Sequence, residues 1–172
     1  MKIFLLQVRP ISTTRKWNKT NNEKISSEIK HFEKKIQKLF KSKKNIDGIN
    51  TIFGNMPDWN PVEIIGKYPS QLSVSLYKYL ITDNIWAKAR SIMGYKNLTK
   101  HKLMHIICGQ PYIDTRLSLN SFLPSNLPNS ISKKLINFWL EKFKKNPILH
   151  DKIEFELAIT CYSFDLSSKM KK

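Results

Sequence analysis

Tyr112-Ile-Asp-Thr-Arg-Leu-Ser-Leu-Asn120 is the stretch on which the predicted fold of this chain depends most. Apolar and polar side chains alternate along it with a period of two, which is typical of a half-buried β-strand. Leu117 and Leu119 would lie on one side of that strand. Asp114 and Arg116 would be neighbours on the other side. We therefore predict a short strand near residues 112–119.

Helical patterns lie on both sides of this strand. Thr20-Asn-Asn-Glu23 has the form of a capping box and precedes an amphipathic helix with a lysine-rich outer face. Asn60-Pro61-Val-Glu63 predicts a one-turn helix that Gly66 closes. Ser70–Ile81 reads as the next helix. Its predicted inward residues are Leu72, Leu76, Tyr79 and Leu80.

Two further helices are predicted from the same spacing of apolar residues. One begins at Thr82-Asp83 and ends at Gly94, and the other begins at Ser130. Asn146-Pro147 stops the latter and can start another helical segment, although the period of Ile153–Phe164 also fits a strand. The predicted inward residues of the two helices are Ile85, Trp86, Ala89, Ile92 and Met93, then Ile131, Leu135, Phe138, Trp139, Lys142 and Phe143.

The predicted fold class is mainly α with a small β component. The apolar segment Met1–Val8 predicts a strand that ends at Arg9-Pro10, and no neighbouring hairpin supplies its partners. The predicted organisation is therefore an orphan amino-terminal strand (1–11), a basic linker with an amphipathic helix (12–44), a helical domain with one short strand (45–166), and a polar tail (167–172).

The net charge of +17 invites a nucleic-acid interpretation. However, the basic residues are 26 Lys and only 4 Arg, and Arg is the residue that makes bidentate contacts with phosphates and bases. The abundance of Lys together with Asn and Ile indicates A- and T-rich codons. A nucleic-acid partner is therefore the less favoured prediction. Because no long apolar run or signal sequence is present, we also predict no membrane span and a cytoplasmic location.

Several groups of residues have types and spacings that could support binding or catalysis. Gln7 and Arg9 lie at i and i+2 of the predicted first strand, so both would face one ligand. His101, His105 and Cys108 have metal-ligand spacing on a helix, but the surrounding apolar residues favour a core position. A catalytic pair of Cys161 and His150 lacks a recognisable orienting carboxylate. No glycine-rich phosphate loop is present.

Two segments are rich in polar and aromatic groups, and each has two possible interpretations. Asp58-Trp-Asn-Pro-Val-Glu63 and Tyr112-Ile-Asp-Thr-Arg116 combine carboxylates, an amide or guanidinium group, and aromatic rings near turns or strand ends. The structural interpretation is helix capping by Asn60 and Glu63 and an ion pair between Asp114 and Arg116. The alternative is a ligand or domain-contact site.

These segments together resemble the phosphoenolpyruvate synthase and pyruvate phosphate dikinase family. Leu5-Leu-Gln-Val-Arg-Pro-Ile11 resembles the closing strand of that family's ATP-grasp domain, which ends in a Q-x-R-P element. The segments 51–66, 109–124 and 146–156 resemble a region found just downstream in a subgroup of these proteins. The resemblance covers nearly the whole chain.

The resemblance implies roles for two residues. Gln7 would help coordinate the magnesium ion of ATP, and Arg9 would contact the nucleotide phosphates. It also implies what is missing, namely the amino-terminal half of the ATP-grasp domain with its acidic metal-binding strand, and the domain that carries the phosphorylatable histidine. We therefore expect an internal segment of a larger phosphotransferase. This segment alone is expected to bind neither ATP nor magnesium and to be inactive. Its expected partners are the missing parts.

The competing hypothesis is a non-enzymatic, basic helical module that binds nucleic acid or anionic surfaces. The segment from Thr13 to Lys44 holds 11 basic and 3 acidic residues, which is a charge of +8. Charge of this kind supplies non-specific affinity that falls steeply with salt. Binding that depends on salt concentration would therefore favour this alternative over the phosphotransferase segment.

Overall fold

A computed structural model describes residues 21–41, 45–55, 57–146 and 157 of the 172-residue chain. This described part is mainly helical with one small sheet, which confirms the predicted fold class. The helices are α1 (Asn22–Phe40), α2 (Pro61–Ile65), α3 (Gln71–Tyr77), α4 (Ile85–Ile92), α5 (Thr115–Asn120) and α6 (Asn129–Lys145). A π-helical turn, Lys78–Thr82, continues α3. The strands are β1 (Phe53–Gly54), β2 (Met104–Ile107) and β3 (Gln110–Asp114).

The three strands form an antiparallel sheet in the order β1-β3-β2. Cys108 and Gly109 connect β2 to β3, and both have positive φ angles, of 50° and 78°. A two-residue hairpin loop with positive φ at both positions matches the right-handed twist of the strands. Asn55 adds a side-chain bond to this sheet, because its Nδ2 donates to the carbonyl of Pro111 at 3.2 Å.

The strand predicted near residues 112–119 is correct only in its first half. The chain leaves β3 at Asp114 and turns directly into α5. All six residues of α5 are buried, so neither side faces solvent. Alternation of polar and apolar residues normally marks a half-exposed strand, but here Arg116, Ser118 and Asn120 find hydrogen-bond partners inside the protein.

The helix starts follow local chemistry closely. Asn60 caps α2, since its side chain accepts a hydrogen bond from the Glu63 backbone nitrogen at 3.3 Å, as predicted. The amphipathic helix α1 exists as predicted, but its cap is Asn21 rather than Thr20, and Asn21 accepts from the backbone nitrogen of Glu23 at 3.1 Å. The cap of the third helix is Ser70, where that helix was predicted to begin.

The predicted inward side of the third helix is wrong. Leu72, Leu76, Tyr79 and Leu80 are exposed, by 50 to 79%. Instead, Tyr77 is buried, and Val74 and Ile81 pack against the core. The segment Gln71–Thr82 is apolar on two sides, and the fold buries the side with fewer large residues.

The predicted inward sides of the two later helices are also partly wrong. In α4 and its C-cap, Trp86 is buried as predicted, whereas the other predicted inward residues, Ile85, Ala89, Ile92 and Met93, are exposed. The helix begins after Asn84 rather than at Thr82-Asp83. In α6, Trp139 and Phe143 are buried as predicted, but Ile131 and Phe138 are exposed. The residues that replace them in the interior of α6 are Ser132, Ile136 and Leu140.

Two hydrophobic clusters make up the core. One is built around α6 and the chain that follows α5, and it includes Trp139, Phe143 and Leu157. The other lies between the sheet and α3–α4 and includes Trp86, Leu103 and Ile113. Helix α5 contributes Leu119 to the first cluster and Leu117 to the second. It therefore lies between them.

The predictions for residues 1–20, 147–156 and 158–172 fall outside the described residues. These are the orphan strand with Gln7 and Arg9, the polar segment that follows it, the helical segment after Asn146, and the polar tail. None of the described helices is long and apolar enough to cross a membrane.

Candidate functional site

The residues singled out as ATP and magnesium contacts, Gln7 and Arg9, lie outside the described residues, as do His150 and Cys161. The structure describes the metal-type spacing of His101, His105 and Cys108. His105 lies on β2 and Cys108 lies in the hairpin loop, so the three residues do not share a helical face. Within residues 21–41, 45–55, 57–146 and 157, no group of three or more His, Cys, Asp or Glu side chains is placed to hold a metal ion.

The polar residues that the fold brings together surround α5. Asp114 is the N-cap of this helix, and its carboxylate accepts a hydrogen bond from the Leu117 backbone nitrogen at 3.2 Å. The hydroxyl of Thr51 donates to the same carboxylate oxygen. Capping by a carboxylate satisfies a backbone donor at the start of the helix and opposes the positive end of its dipole. Asp114 therefore fixes the point where β3 becomes α5.

Asp58 forms the first of two carboxylate centres beside α5. Its Oδ1 accepts from Arg90 Nη2 at 2.6 Å, and its Oδ2 accepts from the Ser118 hydroxyl at 2.8 Å. The other amino group of Arg90 donates to Ser121 Oγ at 2.6 Å, and the guanidinium lies 3.6 Å from the centre of the Phe122 ring. The Asp58 and Arg90 side chains are only 6% and 11% exposed, so water screens this ion pair weakly.

Asp47 forms the second carboxylate centre, beside Asn120, the last residue of α5. Its Oδ2 accepts from Lys96 Nζ at 3.0 Å and from the hydroxyl of Ser132. Asn120 joins the backbone of the same residue twice, accepting from Asp47 N at 3.0 Å and donating to Asp47 O at 2.9 Å. A paired amide of this kind substitutes for a strand ladder and holds the loop against α5.

Arg116 is fully buried in the middle of this arrangement. Its guanidinium donates to the carbonyls of Lys41, Gly48 and Ile49, at 3.1 Å, 3.5 Å and 3.4 Å. Gly48 has a φ of 98°, and a Cβ there would lie 2.8 Å from the Leu140 side chain. Only glycine fits this close approach, which brings its carbonyl to the arginine. The predicted neighbour relation of Asp114 and Arg116 on one strand face is therefore wrong, because the two lie on either side of the strand-to-helix turn.

Tyr77 connects the first carboxylate centre to α3. Its hydroxyl donates to the carbonyl of Trp59, next to Asp58 in sequence. Burial, and then the nearby Asp58 carboxylate, raise the pKa of Tyr77 well above its ordinary value of about 10. The phenol therefore stays protonated and remains a hydrogen-bond donor throughout the physiological range.

An open groove of about 1120 Å³ lies between β1 and α6. Phe40, Phe53 and Phe143 contribute apolar surface to it, and Asn50 and Asn137 contribute amides. A second depression, of about 740 Å³, has basic character. Lys96, Lys100, Lys133 and His101 line it together with Asp47.

The carboxylates around α5 have little capacity for catalysis, because protein donors already occupy them. Asp47, Asp58 and Asp114 each accept hydrogen bonds from neighbouring protein groups. A general base has to reach a substrate proton, and these carboxylates face inward instead. We interpret the constellation around α5, called the α5 network below, as a buried structural network.

Sequence reasoning identified part of this network. Asp58, Asp114 and Arg116 belong to the two segments that were singled out as dense in polar groups. Arg90, Lys96 and Asp47 were missed, because each lies in a segment with no distinctive local pattern. Asn120 and Ser118 were missed as members of the network, although both alternate with Leu117 and Leu119 in a short stretch.

No protein-family model, curated protein or solved structure matches this chain.

Proposed function

We propose that this chain is a segment of a phosphoenolpyruvate synthase-like, ATP-dependent phosphotransferase, and that its described part is a structural domain without phosphotransfer chemistry of its own. In the whole protein, Gln7 would contact the magnesium ion and Arg9 the phosphates of ATP, as the resemblance implies. The acceptor would be pyruvate or another small molecule, reached through a phosphohistidine on a separate domain.

The observation that carries this proposal is that two of the family-like segments meet in space. Residues 51–66 and 109–124 share the hydrogen bonds Thr51–Asp114, Asn55–Pro111 and Asp58–Ser118. Their distinctive polar residues are used to hold these segments to each other. This is what is expected when a sequence signature reflects a shared fold rather than a reactive centre.

The absence of chemistry in the segment alone also has a physical reason. Phosphoryl transfer depends on positioning and on neutralising the charge of the transferred group, with metal ions, a lysine and an arginine acting together. One glutamine and one arginine cannot assemble that environment. The carboxylates described above face inward and are occupied by protein donors.

The test uses the purified chain and a chimera. We expect the chain alone to show no magnesium-dependent ATP hydrolysis. Fusing the amino-terminal ATP-grasp portion of a phosphoenolpyruvate synthase-like protein ahead of Met1 is expected to create nucleotide binding, measured with a fluorescent ATP analogue. Arg9→Ala should weaken that binding at least about tenfold, as expected for a lost phosphate contact. Arg15→Ala is the matched control and should leave binding unchanged.

Two results would contradict the proposal. Magnesium-dependent turnover by the chain alone would show that it has its own active site. Nucleotide binding by the chimera that responds equally to Arg9→Ala and Arg15→Ala would remove the role proposed for Arg9.

The alternative, a basic module for nucleic acid or anionic surfaces, is supported by the surface charge. The lysines of α1 are all exposed, and Lys96, Lys100 and Lys133 line one depression. If this alternative is correct, the chain binds duplex DNA with an affinity that falls steeply between about 50 and 200 mM salt. A Lys100→Gln, Lys133→Gln double variant would then reduce the salt dependence.

A further inference from the structure

The outward side of the segment Gln71–Thr82 is an exposed apolar surface. Its large residues are Leu72, Leu76, Tyr79 and Leu80, which are 68%, 50%, 79% and 58% exposed. Their spacing of four, three and one places them on one side of a helix. We call this set, together with Ser75 between them, the outward stripe.

The outward stripe carries no charge, although the chain as a whole carries +17. The exposed residues of Gln71–Thr82 are Gln71, Leu72, Ser75, Leu76, Tyr79 and Leu80. By contrast, the exposed sides of α1 and α6 carry many lysines. Depletion of charged residues at the centre of a patch, together with aromatic residues such as tyrosine, distinguishes the core of a protein interface from ordinary surface.

The one small polar residue in the stripe is already satisfied. The Ser75 hydroxyl donates to the carbonyl of Leu72 at 2.9 Å, within the same helix. Covering this surface therefore leaves no serine donor unpaired, which is the usual cost of burying a polar group. Its small side chain also permits close approach of a second helix.

We propose that the outward stripe pairs with the same stripe on a second copy of this chain, through an antiparallel two-fold contact centred near Ser75 and Leu76. In this arrangement Leu72 of one copy packs near Leu80 of the other. Only the residues at the centre, Ser75 and Leu76, lie next to the same residues of the second copy. A two-fold interface uses the same surface on both copies, so an uncharged stripe is complementary to itself. Lys78, which is half-buried and lies outside this uncharged set, is the one charged residue of Gln71–Thr82.

The area is sufficient for a reversible dimer. Four large side chains that are exposed by half to four-fifths present on the order of 500 Å² of mostly apolar surface. Two such surfaces remove about 1,000 Å² in total, which is the lower limit for a specific interface. The dimer is therefore expected to form in the micromolar range rather than to be permanent.

The first experiment measures association of the full chain by analytical ultracentrifugation from about 1 to 100 µM. The wild-type chain is expected to shift from monomer to dimer over this range. Leu76→Glu should weaken dimerisation at least about 100-fold, because the carboxylate would lose water in an apolar contact. Ile131→Glu is the matched control, since Ile131 on α6 is similarly exposed, at 45%, and should leave dimerisation unchanged.

The second experiment tests the two-fold arrangement by disulfide formation in a Cys108→Ser, Cys161→Ser background. Ser75→Cys should cross-link two copies under mild oxidation, since residues near the axis approach their own counterparts within disulfide reach. Ser27→Cys is the matched control. Ser27 is an exposed serine of α1 that also donates to the carbonyl three residues before it, at 2.8 Å.

Several outcomes would overturn the proposal. A chain that stays monomeric up to 100 µM would assign the stripe to a different polypeptide, such as another part of the proposed phosphotransferase. A dimer that Leu76→Glu leaves intact would place the interface elsewhere. Equal cross-linking by Ser75→Cys and Ser27→Cys would exclude the two-fold contact at the stripe.

Discussion

Helix α5 and the outward stripe of Gln71–Thr82 distribute polarity in opposite ways. In α5, Arg116, Ser118 and Asn120 are buried together with the leucines between them. In the outward stripe, leucines and a tyrosine face solvent. The two regions belong to one small fold, and both differ from the rule that apolar residues lie inside and polar residues outside.

The difference shows that burial here follows hydrogen bonding as much as hydrophobicity. Three of the four polar residues of α5 have an internal side-chain partner: a carboxylate for Ser118, the backbone of Asp47 for Asn120, and three carbonyls for Arg116. The fourth, Thr115, is buried with its hydroxyl unpaired among the described residues. Such a network stabilises only when its members are satisfied together. The outward stripe has no comparable partner within the described part of the chain.

The largest effect is expected from Arg116→Met. Methionine fills much of the same space but leaves the carbonyls of Lys41, Gly48 and Ile49 without their donor. Since these acceptors belong to the backbone, they cannot be removed along with the arginine. We expect the free energy of unfolding to fall by about 3 kcal/mol, measured by urea denaturation followed by tryptophan fluorescence.

The matched change on the other side of the comparison is Leu80→Gln. Leu80 is 58% exposed, so we expect a change of less than about 0.5 kcal/mol. The comparison fails if Leu80→Gln destabilises the protein as much as Arg116→Met does.

A smaller effect is expected from Asp58→Asn. The amide keeps the shape and one acceptor for Ser118, but the charge that pairs with Arg90 is lost. Breaking a buried ion pair costs roughly 3–5 kcal/mol when one charge is left alone, and the retained acceptor lowers this to about 2 kcal/mol. Thermal unfolding measures the change. Glu63→Gln, on the exposed first turn of α2, is the control and should shift stability by no more than about 0.5 kcal/mol.

The smallest effect is expected from Tyr77→Phe, on the inward side of α3. Loss of the hydrogen bond to Trp59 should cost about 1 kcal/mol at pH 7. The pKa of Tyr77 is higher in the folded than in the unfolded protein, so its stabilising contribution is complete below about pH 10 and is lost as the pH rises further. The wild-type advantage over Tyr77→Phe should therefore shrink above pH 10.

This pH dependence is measured by urea denaturation of both proteins between pH 8 and 10.5. Tyr79→Phe, on the outward side of the same segment, is the control at pH 7 and should change stability by less than about 0.5 kcal/mol. A constant difference between wild type and Tyr77→Phe across the pH range would show that the pKa is not shifted by folding.

Local chemistry predicted the parts of the fold that depend on neighbouring residues. The segment 60–66 contains the N-cap of α2 (Asn60), its first helical residue (Pro61) and the glycine that ends it (Gly66). This helix can therefore be predicted without knowledge of distant residues. The cap of the following helix at Ser70 is of the same kind. The mainly helical class with a small sheet could be predicted for this reason.

The sides of the helices and the nature of α5 depend on distant residues, and these could not be predicted. Gln71–Thr82 has apolar residues on two sides. Periodicity favours burial of the side with more large residues, whereas the fold buries the side that contains Tyr77. The π-helical turn adds one residue per turn without a sequence signal. The alternation of polar and apolar residues in Thr115–Asn120 predicts a half-exposed strand. Only the structure shows that Asp47 and Asp58 lie beside this segment and allow its polar residues to be buried.

The distance in sequence between the partners of the α5 network has a consequence for how the chain folds. Asp58 and Ser118 are 60 residues apart, and Asp47 and Ser132 are 85 residues apart. Closing such long loops costs chain entropy before the contacts that offset it can form, so these contacts slow folding. During synthesis, the Asp47 centre cannot form until Ser132 has left the ribosome. We expect the hairpin of β2 and β3 to form first and the interior around α5 to close last.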